Sequence, residues 1–592
     1  LAAVLLPLVG LFALALMPAA RAQAPAGAQP PGGPGGPPAA APNARPASKA
    51  MSAFALSGRI DRHISARWRK EGVTGAKPAD DATFFRRVYL DLNGKIPTIL
   101  DIRDFMEDDR PEKRQIWVDK LLESEAFADH FANVYRSMIL TQVENQETAF
   151  LIGGFENWLR KKLKDNTPYN KMVYELLTSG TQPNFGRGPD DFNNASPAAF
   201  YAANEYKPEN LAGTTARLFL GVKIECAQCH KHPFADWTRN QFWEFAAFFQ
   251  NLNPNGGPFA APVDDGGKVD KPKVQQPGNP NDGPSILIPK TDPPEYAKAK
   301  FLDGTAPKWQ GNSNPRTILA DWITSPDNPY FSRIAVNQMW FYFMGTGLVD
   351  PYDDFGEHNP ASHQELLDEL AEQFVKSGYD LRYLARAIVN SKTYQMSSAP
   401  LVKKQDEEPD SPRLFTRMPL RALSGEQLFD SLAEVMDYKV DKNRVAFGIG
   451  QTPREEFVSK FSSPENKRVD VHTSILQALH LMNGKFLANA TSLDKNGNLK
   501  TIADSKPRPA EDQEKVLRFV WPSYAEGFEQ RFAVREKVTT LYFLALARAP
   551  RADELDRMSR YVMSGGARKD EAQAIADVLW VLLNSAEFAS NH

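Results

Sequence analysis

Ser362-His363-Gln364-Glu365-Leu366-Leu367-Asp368-Glu369-Leu370-Ala371-Glu372-Gln373-Phe374-Val375 is the stretch whose reading decides the fold. Leu366, Leu367, Leu370, Ala371, Phe374 and Val375 recur at three- and four-residue spacing, so a helix gathers them on one apolar face. Ser362 with Glu365 reads as a capping box at its start, and Ser424 with Gln427 repeats the device. Upstream, Phe155, Trp158, Leu159 and Leu163 show the same period, as do Val173, Leu176 and Leu177. The expected fold is therefore mainly α, with helical modules at 51–252 and 311–592. Between them, 253–310 is rich in Pro and Gly and carries one strand-like run, Ile286-Leu287-Ile288, expected as a small β element.

The N-terminal end has a different character. Leu1 to Met17 is almost wholly apolar and is followed by Ala20-Arg21-Ala22, the pattern of a secretory signal over 1–22 with an A-x-A cleavage site. An uncleaved membrane anchor is the alternative reading of that run. Residues 23–50 are dominated by Ala, Pro and Gly and read as a disordered tether. Both readings place the folded part outside the cytoplasm, in the periplasm or on the cell surface. The formal charge of -3 and the absence of a basic stripe give no reason to expect nucleic acid as a partner.

Three segments echo one another. Tyr89, Pro97 and Asp101 recur as Tyr542, Pro550 and Glu554 at the same offsets, with Lys95 matched by Arg548. Ser124-Glu125-Ala126-Phe127, Ser585-Ala586-Glu587-Phe588 and Ser391-Lys392-Thr393-Tyr394 are related endings. A proline in a helix first turn and an acid near its positive end explain the pattern as a repeated packing unit.

The chemistry lies in Glu225-Cys226-Ala227-Gln228-Cys229-His230-Lys231-His232-Pro233-Phe234, which holds the chain's only 2 cysteines. On a helical turn, Cys226, Cys229 and His230 share a face. Two thiols at that spacing can bond to the vinyl groups of a haem while the adjacent imidazole ligates the iron, giving haem c. Trp237, Phe242, Trp243, Phe245, Phe248 and Phe249 would supply an apolar wall. Zinc or another divalent metal on Cys226, Cys229 and His230 or His232 is the alternative, as is a simple disulfide. Met339, Met344, His358, His363, His480 and Met482 are the candidates for a sixth ligand. The exported function expected is electron transfer or redox sensing with an undetermined redox partner. The other readings are an envelope metal enzyme acting on polysaccharide and a structural surface protein.

Asp354-Phe355-Gly356 matches a kinase metal-binding string, but no phosphate loop accompanies it. Asp353, Asp354, Glu357 and His358 could gather a divalent ion, and a solvated loop before the next helix is the plainer reading.

Longer runs resemble a known family. Thr83 to Thr98, Cys226 to Phe234 and Ala246-Ala247-Phe248-Phe249 resemble the first of two paired domains of unknown function in planctomycete cytochrome-like surface proteins. Asp321 to Pro329, Arg333 to Trp340, Gly345 to Val349, Asp353 to Gly356 and Asp577 to Phe588 resemble the second. The resemblance implies a mainly helical envelope protein. Many members also carry a separate cytochrome c domain at the N-terminus, where this chain has its tether.

Overall fold

The computed structural model describes residues 49–140, 146–180, 195–250, 252, 283–310, 313–399, 412–439, 452–461, 484–505 and 529–592. The signal and nearly all the tether, residues 253–282, His480 and Met482 lie outside them. The described chain is mainly helical. It opens with α1 (Ala53–Glu71), α2 (Asp81–Asn93), α3 (Ile99–Met106), α4 (Lys113–Leu122), α5 (Glu125–Ile139), α6 (Gln146–Lys164) and α7 (Tyr169–Thr178). α8 (Ala199–Ala203), α9 (Pro208–Leu220) and α10 (Arg239–Ala246) complete the part before the Pro/Gly-rich stretch. Then come α11 (Pro315–Ile323), α12 (Pro329–Met344), α13 (Gln364–Lys376), α14 (Leu381–Val389), α15 (Gly425–Met436) and α16 (Pro453–Phe461). Helices Lys485–Ala490, Gly497–Asp504, Glu529–Leu546, Ala552–Met563 and Glu571–Leu583 follow. No described helix is long and apolar enough to cross a membrane.

Periodicity placed the helices well. Leu366, Leu367, Leu370, Ala371 and Phe374 are all buried on α13, and Phe155, Trp158, Leu159 and Leu163 on α6. The cap of α13 is a correction: the N-cap residue is His363, without a side-chain cap, and Ser362 instead binds the Leu348 carbonyl. The capping box at α15 is present, with Gln427 N donating to Ser424 Oγ at 3.2 Å and Ser424 N to Gln427 Oε1 at 3.1 Å. Ser424→Ala should therefore cost about 1 kcal/mol in urea unfolding, and Ser362→Ala distinctly less.

The expected small β element is β1 (Ser285–Leu287), paired antiparallel with β2 (Tyr296–Lys298), Ile286 facing Ala297. A second two-stranded ladder joins β3 (Arg421–Ala422) to β4 (Ser590–Asn591). Two buried clusters form the interior. The larger draws on α1–α14 from both sides of the Pro/Gly-rich stretch, and the smaller unites Leu90 and Ile96 with residues 428–588.

Between these clusters lies a buried polar knot. Asp91 accepts from Arg421 Nη2 at 2.7 Å, Tyr394 OH at 2.8 Å and Asn591 Nδ2 at 2.8 Å. Its backbone carbonyl accepts from Tyr342 OH, which also meets His130 Nε2. Arg86 donates to the carbonyls of Ala545, Glu587 and Phe588, and Arg87 to those of Tyr394 and His592. Arg86 Nε, Arg421 Nε and Asn591 Oδ1 are buried without a partner, but the remaining bonds tie α2 to residues far along the chain.

The three echoed endings share one geometry. Ser124 Oγ donates to Leu121 O at 2.7 Å and accepts from Phe127 N at 3.1 Å. Ser391 does the same between Ile388 O and Tyr394 N, and Ser585 between Leu582 O and Phe588 N. The acids of the echo are paired too, Asp101 with Tyr89 and Glu554 with Arg548. Pro97 and Pro550 are corrected by two positions: each stands just before the N-cap residue, Thr98 or Arg551, rather than in the first turn.

Candidate functional site

The Cys/His segment leaves the end of α9 through Gly221, whose φ of +70° is open to glycine at little cost. Arg217 on α9 lies 3.9 Å from Glu225, and Gly213 leaves room for that glutamate: a Cβ there would sit 2.8 Å from Glu225 Cγ. Desolvation, with the charge of Asp353 nearby, raises the Glu225 carboxyl above its usual value, while Arg217 and Lys223 pull it down.

Glu225–Gln228 is a 3₁₀ turn, not the α-helical turn expected. At three residues per turn, Cys226 and Cys229 still fall in register, but His230 lies beyond the helical geometry in a bend. Both thiols are free and exposed, and Ala227 between them is buried as the anchor of the turn.

The two histidines have opposite assignments. His230 is exposed, and its Nδ1 lies 2.7 Å from the Lys231 carbonyl, an acceptor only. Nδ1 therefore carries the proton, and Nε2 keeps a bare lone pair. His232 Nδ1 accepts the backbone N–H groups of Phe234 and Ala235 at 3.2 and 3.0 Å. That lone pair is spent on folding the loop, which His232 N closes by donating to Trp237 O at 2.9 Å. Desolvation first, then His358 and His230, lower the His232 imidazole below its ordinary value, with Asp354 opposing them.

The aromatic wall is a correction. Phe242, Trp243 and Phe245 on α10, which packs against α9 and the β1–β2 hairpin, and Phe248 and Phe249 in the 3₁₀ turn after it, which packs against α9 and α11, are buried core residues. Trp243 Nε1 donates to the Gln228 carbonyl at 3.1 Å and so supports the turn from below. Phe234, 79% exposed, and half-buried Trp237 are what remain at the surface. Trp237 also borders a small apolar depression lined by Leu220, Val222, Leu302, Trp322 and Tyr330.

The structure adds what the sequence reading set aside. Asp353–His358 of the second module does not stand free; it lies against the base of the loop. Phe355 N donates to Gly221 O at 2.7 Å, and Asp353 pairs with Lys223 at 3.1 Å and Arg217 at 3.4 Å. Nothing local to 353–358 announces partners more than a hundred residues upstream. Among the described residues no three His, Cys, Asp or Glu side chains gather as a metal set, neither Cys226, Cys229 and His232 nor Asp353, Asp354, Glu357 and His358.

The other sixth-ligand candidates lie elsewhere. Met339 and Met344 are buried on α12, and His363 is buried beside Phe415. Burial, with the positive charges of Arg67, His63 and Arg413, pushes the His363 imidazole from 6.5 down to about 4. The unfolded chain takes up that proton near 6.5 and the folded chain does not. Stability is therefore full above that pH and falls as pH drops toward 4, by about 3 kcal/mol from this group. Urea midpoints of the wild type and His363→Gln between pH 7 and 4.5 should show a shallower loss in the variant.

Comparison with known families gives two matches. Residues 59–254 match PSCyt2, a protein of unknown function (DUF1549), and residues 315–446 match PSD1, a protein of unknown function (DUF1553). The first span holds the Cys/His loop and the second holds Asp353–His358. No curated protein matches the chain, and no solved structure does. The chain thus carries both domains of unknown function, PSCyt2 followed by PSD1, a pairing consistent with planctomycete-type proteins.

Proposed function

We propose that the chain is an exported c-type haem protein of the periplasm or cell surface, serving electron transfer or redox sensing. Cys226 and Cys229 would hold the macrocycle and His230 would ligate its iron. When bound, a haem supplies one-electron exchange at that iron.

The observation that carries the reading is the His230 hydrogen bond. By donating its Nδ1–H to the Lys231 carbonyl, His230 presents Nε2 as an oriented lone pair next to two free, exposed thiols. The donor set therefore fits the group. A closed haem crevice is not part of the described fold; Phe234, Trp237 and the shallow apolar depression offer cover on one side only. Thioether bonds lessen the need for one, since retention then rests on Cys226 and Cys229 rather than on burial.

The test is substitution in protein exported by a host with a c-type maturation system. Cys226→Ala and Cys229→Ala should each leave one thioether and weaken attachment, the double variant should lose covalent haem, and His230→Ala should change the coordination spectrum. Unchanged spectra in all of them would overturn the proposal.

A further inference from the structure

We infer that the PSCyt2-type module is half of a fold, and that the surface it leaves uncovered fits one kind of partner: a PSD1-type module, on the same chain or on another. This does not rest on the haem reading. Whatever Cys226 to His230 bind, they stand on a scaffold that the second module completes.

Two helices of the first module have no home within it. α1 packs chiefly on α13 and α14, and α7 on α11, all of the second module. Leu56, Ile60 and Ile64, at four-residue spacing along α1, are fully buried. A short amphipathic helix draws most of its stability from the surface that covers its apolar face, so α1 and α7 depend on the second module for theirs. α9, which launches the Cys/His loop, packs on α12 as well as on α10.

The polar groups follow the same division. Asp61 on α1 accepts from Lys392 N and Thr393 N, both at 3.0 Å, and so holds the turn after α14. Trp68 Nε1 donates to Leu414 O at 2.7 Å. The segment after α1 is bonded to two stretches of the second module: Ala76 N donates to Thr416 O at 2.7 Å, Ala79 N to Gln395 O at 2.8 Å, and Lys77 O accepts from Ser397 N at 2.8 Å. At the end of α9, Leu218 O and Gly221 O accept from Gln338 Nε2 and Phe355 N. Aromatic rings close the seam, with Tyr169 stacked on Phe331 at 5.4 Å and Phe131 beside Tyr342 at 5.2 Å. A seam built like a core cut in two is that of obligate partners. Residues 529–592 lie beyond both matched spans yet belong to the same unit, since Arg86 donates to Ala545 O and Phe588 O, and Arg87 to His592 O. The partner surface therefore includes the C-terminal helices.

Two measurements on the full chain test this. Hydrogen exchange read peptide by peptide should show the slowest amides of α1 and α7 opening together with those of α12 and α14. Leu384→Ala on α14 should speed both sets by the same factor, on the order of a hundredfold. Ile388→Val, a gentler change, should speed both sets equally and by less. Acceleration confined to α12 and α14, with α1 and α7 unchanged, would overturn the inference. The second measurement cuts the folded chain at a protease site inserted between Gly266 and Gly267. The two pieces should elute together in buffer and apart in urea, as expected of a partner that can act from a separate chain. Pieces that separate in buffer would overturn that claim.

Discussion

Asp91→Ala should destabilise the protein by about 3–5 kcal/mol, because it strands a charge that the fold has already taken out of water. Asp91 and Arg421 are 1% and 3% exposed. Tyr394 OH and Asn591 Nδ2 would lose their acceptor in the same step. The damage should spread to the β3–β4 ladder, since Arg421 and Asn591 are its facing pair. A double variant, Asp91→Leu with Arg421→Met, should recover much of the loss, because an apolar pair of similar volume leaves no unpaired charge. Denaturant midpoints of the two variants decide this. A loss below about 1 kcal/mol for Asp91→Ala would mean that the knot contributes no more than an exposed ion pair.

The second large effect is at Gly221. Its φ of +70° excludes a β-branched residue, and a Cβ would lie 2.6 Å from Phe355 Cδ2 and 3.2 Å from Ile334 Cδ1. Backbone strain of about 1–3 kcal/mol and overpacking of about 1–3 kcal/mol act together in Gly221→Val. The control is Gly72→Ala, where φ is +68° but nothing lies within 4 Å of the added Cβ. That variant should lose only the strain. Comparable midpoints for the two variants would show that the contact between Gly221 and Phe355 is not a tight one.

What the sequence made legible follows from the range of the forces involved. The faces of α6, α7 and α13 are local patterns, and they are buried as their spacing requires. The serine-to-aromatic endings are local as well, and three copies share one hydrogen-bond geometry. Ser362 misled because a capping box is only a spacing of residue types; its hydroxyl turned to a nearer demand, the Leu348 carbonyl. The aromatic run after Trp237 read as a cofactor wall, and its packing against α9 places it in the core instead. β3 and β4 are too short to show alternation. In the site, the motif Cys226-Ala227-Gln228-Cys229-His230 was visible at once, but its 3₁₀ turn and the division of labour between His230 and His232 depend on which backbone groups the loop leaves nearby. Asp353 was invisible as a partner because Arg217 and Lys223 reach it only through tertiary packing.

The central claim is that Cys226, Cys229 and His230 hold a covalent haem, and an absorption spectrum paired with a haem-stained denaturing gel tests it most directly. Protein exported by a host with a c-type maturation system should show a Soret band, and the stain should stay on the denatured chain. A colourless protein, or colour that leaves the chain on denaturation, would contradict the account.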